Sequence, residues 1–182
     1  MRYDLPKSVE VDGAEYEIRS DYRAILDIIE AIDDPELDEQ EKCEAALMIF
    51  YPDLDSMPYC SYNEALEKCI DFINCGEKKT ELKKQPRVMD WSQDFPLIVS
   101  PINRVLGCEI RALDYLHWFT FMAAYQEIGD CLFAQVVSIR KKKASGKKLD
   151  KSDQEFYKKN KNLVDLNAKY TEQDEETINR WV

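Results

Sequence analysis

The chain has 182 residues, 45% of them apolar and 34% charged, which is a composition typical of a globular domain large enough to bury a stable core. Its net charge of −11 argues against a general affinity for nucleic acid, and its five glycines and seven prolines exclude a collagen-like or low-complexity chain. We therefore expect one domain over residues 1–182.

Two features bear on the compartment. Met1–Tyr16 is polar and acidic and lacks the apolar segment of a secretory leader, and the longest apolar stretch, Leu113–Tyr125, is too short to span a bilayer. The six cysteines form no C-x-x-C pair, and most occupy apolar helical positions, so we expect reduced, buried thiols. The sequence thus indicates a reducing cytoplasm and no membrane contact.

The N-terminal segment predicts a β-hairpin followed by a helix. Alternating residues flank Asp12-Gly13, a standard hairpin turn signal, so a hairpin is expected over about residues 8–19. Ser20 or Asp21 is placed to cap a helix of regularly spaced isoleucines, which Asp33-Asp34-Pro35 should end.

Three further helices follow in the first two thirds of the chain. One is expected from about Asp38 to Phe50, and another from a capping box at residues 61–64 to Gly76. The charged segment Glu77–Arg87 predicts a mobile connection. The next helix carries Phe95–Leu106, with Pro96 in its first turn.

Leu113–Tyr125 is apolar almost all round and therefore predicts the central core helix. Gly129 is expected to end this helix, and Asp130 to cap the next one, which runs to Lys143. The residues predicted to be structural core anchors are Leu116, Trp118, Phe119 and Phe121. A last helix is expected from Thr171. The predicted fold class is mainly α, a single helical domain with an N-terminal β-hairpin.

Residues 140–161 hold ten basic residues against three acidic ones and predict a basic helical hairpin around Gly146, with a capping box at 152–155. One interpretation is a solvated surface without specific contacts. The other is an electrostatic contact with an acidic partner or with another copy of the chain. Nucleic acid is a weaker candidate, because interleaved aromatic residues are missing. The expected contact residues are Lys141, Lys142, Lys143, Lys147 and Lys148.

No motif predicts a catalytic, cofactor or metal site. His117 is the only histidine, whereas zinc sites need several ligands at short spacing, so a packed, hydrogen-bonded core residue is expected. Residues 145–148 lack the first glycine and the Ser/Thr of a phosphate loop. Residues 53–55 begin like a calcium loop, but Pro58 stands where glycine is needed. A cysteine paired with His117 stays open, since such pairs are neighbours only in space.

Seven different short motifs follow one another along nearly the whole chain. They are Asp21-Tyr-Arg23, Asn103-Arg-Val-Leu-Gly107, Leu116-His-Trp-Phe-Thr-Phe121, Tyr125-Gln-Glu-Ile-Gly-Asp130, Ile139-Arg-Lys-Lys-Lys143, Gly146-Lys-Lys-Leu-Asp-Lys151 and Phe156-Tyr-Lys-Lys-Asn160. Together they resemble the bacteriophage gene-product-fifteen (Gp15) family of siphophages and prophages of Gram-positive bacteria. The part from His117 to Asn160 is the most specific.

The resemblance implies a non-enzymatic protein of tail morphogenesis. Family genes typically lie between the tail-tube and tape-measure genes, where tail assembly chaperones are usually encoded. The implied partners are the phage tape-measure protein or other tail proteins, and also further copies of the chain. The implied location is the cytoplasm of the infected or lysogenic host, or the virion tail. The alternative is a structural tail component, a connector or completion protein that stays in the virion. A third hypothesis, which rests on the residues and not on the resemblance, is an enzyme that uses a cysteine together with His117.

Overall fold

The computed structural model describes residues 4–76 and 86–167. These residues form one antiparallel sheet of two strands and eight α-helices, which confirms the predicted mainly α class with an N-terminal hairpin. The strands are β1 (Ser8–Val11) and β2 (Ala14–Glu17). The helices are α1 (Tyr22–Ile32), α2 (Glu39–Phe50), α3 (Tyr62–Ile73), α4 (Trp91–Leu106), α5 (Trp118–Gln126), α6 (Leu132–Ala144), α7 (Lys151–Lys159) and α8 (Lys161–Val164).

The described residues divide into two compact units. The first unit comprises residues 4–76 and 102–127, and the second comprises residues 86–101 and 128–167. The expected single domain over residues 1–182 stays a prediction. The helix predicted from Thr171 lies outside the described residues, as does most of the connection expected between Glu77 and Arg87.

The hairpin turns where its sequence indicated. Asp12 and Gly13 both have positive φ, 49° and 78°, as a two-residue type I′ turn requires. The backbone N–H of Asp12 donates to the Glu64 carboxylate on α3 (3.1 Å), and the Asp12 carboxylate bonds to the Ser61 hydroxyl, which lowers the pKa of Asp12. Because Ser61 and Glu64 serve the hairpin, the predicted capping box at residues 61–64 is wrong: Ser61 makes no side-chain cap bond.

Stacked aromatic rings form much of the core of the first unit. Phe121 lies between two of them, with ring centroids 4.8 Å from Tyr22 and 5.6 Å from Trp118. Both pairs are close to parallel, at 4° and 16°. Phe50 contacts Phe72 at 5.4 Å. These side chains are buried, so α1, α2, α3 and α5 are joined by one apolar core.

The central helix α5 begins at Trp118, later than the apolar pattern from Leu113 indicated. Leu116 and His117, just before it, pair instead with the segment leading into α1. The N–H of Tyr22 donates to the Leu116 carbonyl (2.9 Å), and the N–H of Trp118 donates to the Ser20 carbonyl (2.8 Å). The segment before α5 therefore ends in a backbone bridge and does not extend the helix.

Two helix starts in the second unit also differ from prediction. At α6 the cap is Cys131, whose Sγ accepts from the N–H of Ala134 at 3.4 Å, and Asp130 is not the cap. At α7 the cap is Asp150, which accepts from the N–H of Asp153 at 2.9 Å, so the capping box predicted at residues 152–155 is wrong. In each case, a residue one or two positions from the predicted cap accepts the hydrogen bond from the first turn of the helix.

Helix α4 begins at Trp91, so Pro96 lies within the helix and not in its first turn as predicted. Asp90 starts it by accepting from the N–H of Gln93 at 2.7 Å. The backbone N–H of Asp90 in turn donates to the Asp94 carboxylate at 3.0 Å. This reciprocal pair satisfies backbone donors that a helix start leaves open.

Candidate protein-interaction surfaces

Asp21 and Arg23, which belong to the first motif, hold the segment before α5. The Asp21 carboxylate accepts from the N–H of Leu116 at 2.8 Å. The Arg23 guanidinium donates to the carbonyl of Leu113 and, at 3.4 Å, to that of Ile110. These contacts assign the motif to positioning of the chain. Sequence reasoning gave only the capping role of Asp21, because the partners lie about 90 residues away.

An open cleft of about 560 Å³ lies between the end of the hairpin, α1 and the segment before α5. Its lining carries charges of both signs, but much of its polar surface is engaged within the fold. Arg19 donates to two carbonyls of α2 at 2.8 and 2.7 Å, and Ser20 bonds to Tyr115 at 2.8 Å. Burial raises the pKa of Asp27, and the charge of Glu30 adds to this effect. None of these contacts places a nucleophilic side chain beside a general base, as a catalytic pair would require.

His117 is buried, with 2% of its surface exposed, and it caps α5. Its Nδ1 accepts from the N–H of Phe119 at 3.0 Å, so its Nε2–H donates to the Pro6 carbonyl at 2.9 Å. Burial lowers the pKa of His117, which keeps the ring neutral. Both nitrogens are thus engaged with backbone groups, and neither faces a thiol as a general base would.

The cysteines are all free thiols and differ in exposure. Cys69 is fully buried, and burial raises its pKa to about 12, which makes it unreactive as a nucleophile. The expectation of buried thiols is wrong for Cys60 and Cys108, which are exposed. In the described part of the chain, no group of His, Cys, Asp and Glu side chains could hold a metal ion. No helix there is long and apolar enough to cross a membrane.

The four residues predicted as core anchors lie in the first unit. Trp118 and Phe121 have 1% and 0% of their surface exposed, and Leu116 has 8%. Phe119 is only partly buried and stacks on Phe72 with ring centroids 4.9 Å apart. Trp118, Phe121 and Leu116 therefore face the core, whereas Phe119 lies at its margin.

A buried ion pair supports the basic hairpin of the second unit. The Arg140 guanidinium contacts the Asp94 carboxylate in bidentate geometry, at 2.6 and 2.9 Å, and both side chains are almost completely buried. Arg140 also donates to the carbonyls of Val164 and Leu163, each at 2.7 Å. One side chain thus joins α4, α6 and α8. Arg140 heads the basic run of residues 140–161, but its side chain lies inside the second unit.

Two of the five predicted contact lysines already have acidic partners. Lys142 contacts Asp153 and, at 3.5 Å, Asp150, and the bond to Asp153 raises the pKa of Lys142. Lys143 contacts Asp165 at 2.5 Å. Both lysines are therefore neutralised within the fold, because α7 and the residues after α8 return to the end of α6.

Two of the other three lysines, Lys141 and Lys147, line a basic cleft together with Lys142, and we define this cleft by its lining residues. These are Pro86, Val88, Ser138, Lys141, Lys142, Ser145 and Lys147. The cleft is open and has a volume of about 490 Å³. Gly146, with φ of 64°, ends α6 in a Schellman motif: the N–H of Lys147 donates to the Lys142 carbonyl (2.9 Å), and that of Gly146 to the Lys143 carbonyl (3.0 Å). The turn therefore fixes the backbone of Lys147. Lys148 is exposed and lies outside the lining.

A second surface, the apolar groove, lies in the first unit between the end of α1, α2 and α3. Its lining residues are Ile32, Glu39, Lys42, Cys43, Ala46, Leu66, Cys69 and Ile70. Ala46 and Cys69 are buried, while Ile32 and Ile70 have 39% and 41% of their surface exposed. The charged members, Glu39 and Lys42, form an ion pair at 3.6 Å. The groove has a volume of about 240 Å³, and no local sequence pattern predicts it.

These observations define a helical protein with an apolar groove and a basic cleft on its surface. The family model described as Bacteriophage Gp15 protein matches residues 1–166, and the chain belongs to this family. Membership indicates a phage structural or morphogenesis protein, whose partners are other phage proteins. No curated protein and no solved structure matches the chain.

Proposed function

We propose that the protein is a tail assembly chaperone that binds the tape-measure protein in the cytoplasm of the infected or lysogenic host. The observation that carries this proposal is the apolar groove between α1, α2 and α3. The family supports a role in phage morphogenesis, and a chaperone for a long helical protein needs a surface that accepts an amphipathic helix.

The groove has the features of a helix-binding site. Ile32 stands at the end of α1 and Ile70 on α3, so exposed apolar side chains belong to two of the helices that line it. A helix with apolar residues at positions i, i+3 or i+4 and i+7 would cover both isoleucines and remove their surface from water. The volume of about 240 Å³ is below the roughly 300–1,000 Å³ of small-molecule sites. It suits a few side chains of a docked helix.

The test is co-expression with the tape-measure protein of the same phage, followed by affinity capture. The chain should keep that protein soluble, and the double variant Ile32→Glu/Ile70→Glu should lose binding about tenfold or more, because a charge in the interface is costly. Met48→Glu is the matched control: Met48 is 65% exposed on α2 but does not line the groove. Capture that is equal in all three proteins would refute the groove assignment.

The alternative is a structural tail component, a connector or completion protein retained in the virion. The basic cleft favours it, because the exposed lysines Lys141 and Lys147 offer positive charge for a contact with an acidic neighbour. Mass spectrometry of purified virions separates the two functions. A chaperone should be absent or present in trace amounts, whereas a structural component should be present in a fixed ratio to the other tail proteins.

A further inference from the structure

We propose that the basic cleft binds the acidic corner of a second copy of this chain, so that copies associate through two different surfaces. The acidic corner is the connection between α1 and α2 with the first turn of α2, residues 33–41. This inference goes beyond the proposed function, because it concerns contacts between copies and uses the basic cleft and an acidic corner that shares only Glu39 with the lining of the apolar groove.

The basic cleft is suited to an anionic occupant. Lys141 and Lys147 are exposed, no acidic residue among those the structure describes lines the cleft, and Lys142 turns its ammonium group towards Asp150 and Asp153. Cations at the end of α6 are favoured by the helix dipole, so the cleft keeps its charge. Covering it with an uncharged surface would desolvate these ammonium groups without compensation, whereas carboxylates would neutralise them.

The acidic corner has the complementary charge and a preformed shape. It contains six carboxylates, at residues 33, 34, 36, 38, 39 and 41, and no basic residue. Asp34 accepts from the N–H of Glu36 at 2.8 Å, and Asp38 forms a capping box with Glu41. These bonds fix the loop and leave Glu36 exposed. Glu39 is also exposed, with 95% of its side-chain surface accessible. A preformed loop loses little conformational entropy on binding.

The charge distribution favours a second copy as the occupant. Residues 1–139 carry a net charge of −15, and residues 140–161 carry +7, so each copy brings both partners of the contact. Nucleic acid would meet the same cleft but would be repelled by the rest of the chain. Because the two surfaces differ, the contact is heterologous and can repeat from copy to copy.

Sedimentation equilibrium of the whole chain tests the proposal. At about 0.05 M salt the chain should associate, and association should weaken at least about tenfold at about 0.5 M, where screening is strong. Lys141→Glu/Lys147→Glu and Glu36→Lys/Glu39→Lys should each stay monomeric when alone. An equimolar mixture of the two variants should associate again, because each then offers an intact surface to the other.

Matched controls carry the same changes of charge outside the two surfaces. Lys158→Glu/Lys159→Glu changes exposed residues of α7, and Glu10→Lys/Glu67→Lys changes exposed residues of β1 and α3. Both controls should associate like the wild type. A wild type that is monomeric at low salt, reversed variants that still associate, or a mixture that stays monomeric would each overturn the proposal. Ile32→Glu/Ile70→Glu should still self-associate while losing the tape-measure protein, so the two proposals can fail separately.

Discussion

Trp118 shows how one side chain joins several parts of the first unit. It is 1% exposed, stacks on Phe121, and donates its indole N–H to the Ile73 carbonyl at 2.9 Å. Trp118→Ala should therefore cost about 3–5 kcal/mol of unfolding free energy, as truncation of a large buried aromatic does. Urea denaturation followed by circular dichroism measures the loss.

Two comparisons make that measurement specific. Trp118→Phe keeps a ring in the core but leaves the Ile73 carbonyl without its donor, so it should cost less than the alanine variant, about 1–3 kcal/mol. A loss below about 1 kcal/mol for Trp118→Ala would contradict the burial seen here and would make the side chain a candidate partner contact.

His117 makes folding sensitive to pH. Burial lowers its pKa in the folded state, whereas the unfolded side chain has an ordinary pKa of about 6.5. The unfolded chain therefore binds a proton first as the pH falls. The contribution of neutral His117 is present in full above about pH 6.5 and is lost as the pH falls towards the lowered pKa.

Replacement by asparagine isolates that contribution. His117→Asn supplies an oxygen acceptor for the start of α5 but does not titrate. Between about pH 7.5 and pH 5.5 the wild type should lose more unfolding free energy than the variant, while other groups contribute equally to both. Unfolding curves at several pH values give the difference. If the two proteins lose stability in parallel, His117 is not the group responsible.

At the scale of elements, the Asp94–Arg140 pair decides how α4, α6 and α8 are held together. Asp94→Ala leaves a guanidinium buried without its counter-ion, so it should cost about 3–5 kcal/mol. Arg111→Ala breaks the exposed Arg111–Glu109 pair, whose arginine is 63% exposed, and should leave the free energy of unfolding nearly unchanged. Chemical denaturation of both variants compares the two environments.

A double replacement tests whether the cost arises from the unpaired charge. Asp94→Leu/Arg140→Met removes both charges and should be more stable than Asp94→Ala, because an apolar pair needs no counter-ion. If the double variant is the less stable protein, the hydrogen bonds of Arg140 to the Val164 and Leu163 carbonyls must dominate.

At the scale of the whole molecule, the proposed groove and cleft predict cooperative binding to a long partner. Copies held side by side on one tape-measure chain would bind with avidity. Lys141→Glu/Lys147→Glu should therefore weaken binding to the full tape-measure protein by about tenfold or more, but leave binding to a segment that fits one groove unchanged.

Titration with the full partner and with a short apolar segment measures both affinities, and Lys158→Glu/Lys159→Glu is the charge-matched control. An equal loss for short and long partners would mean that the lysines contact the partner directly. If the lysine variant and the wild type bind the full tape-measure protein with equal affinity, the copies bind independently.

Local chemistry alone determined several features of this protein. Asp12-Gly13 specifies a hairpin turn because both residues tolerate positive φ, and Asp21 and Asp38 cap α1 and α2 with their own side chains. The spacing of apolar residues then gave the helices of a mainly α chain. In each case the interacting groups are neighbours in sequence, so the pattern carries the information.

Tertiary structure decided the features that depend on distant partners. Leu113–Leu116 stays outside α5, and the end of this segment pairs with Ser20 and Tyr22 in a backbone bridge that no local pattern reveals. Arg140 is buried because Asp94, 46 residues earlier, neutralises it, although the sequence places it at the head of a basic run. The groove likewise exists only where α1, α2 and α3 meet. Burial and pairing over such distances are set by packing, which sequence periodicity does not specify.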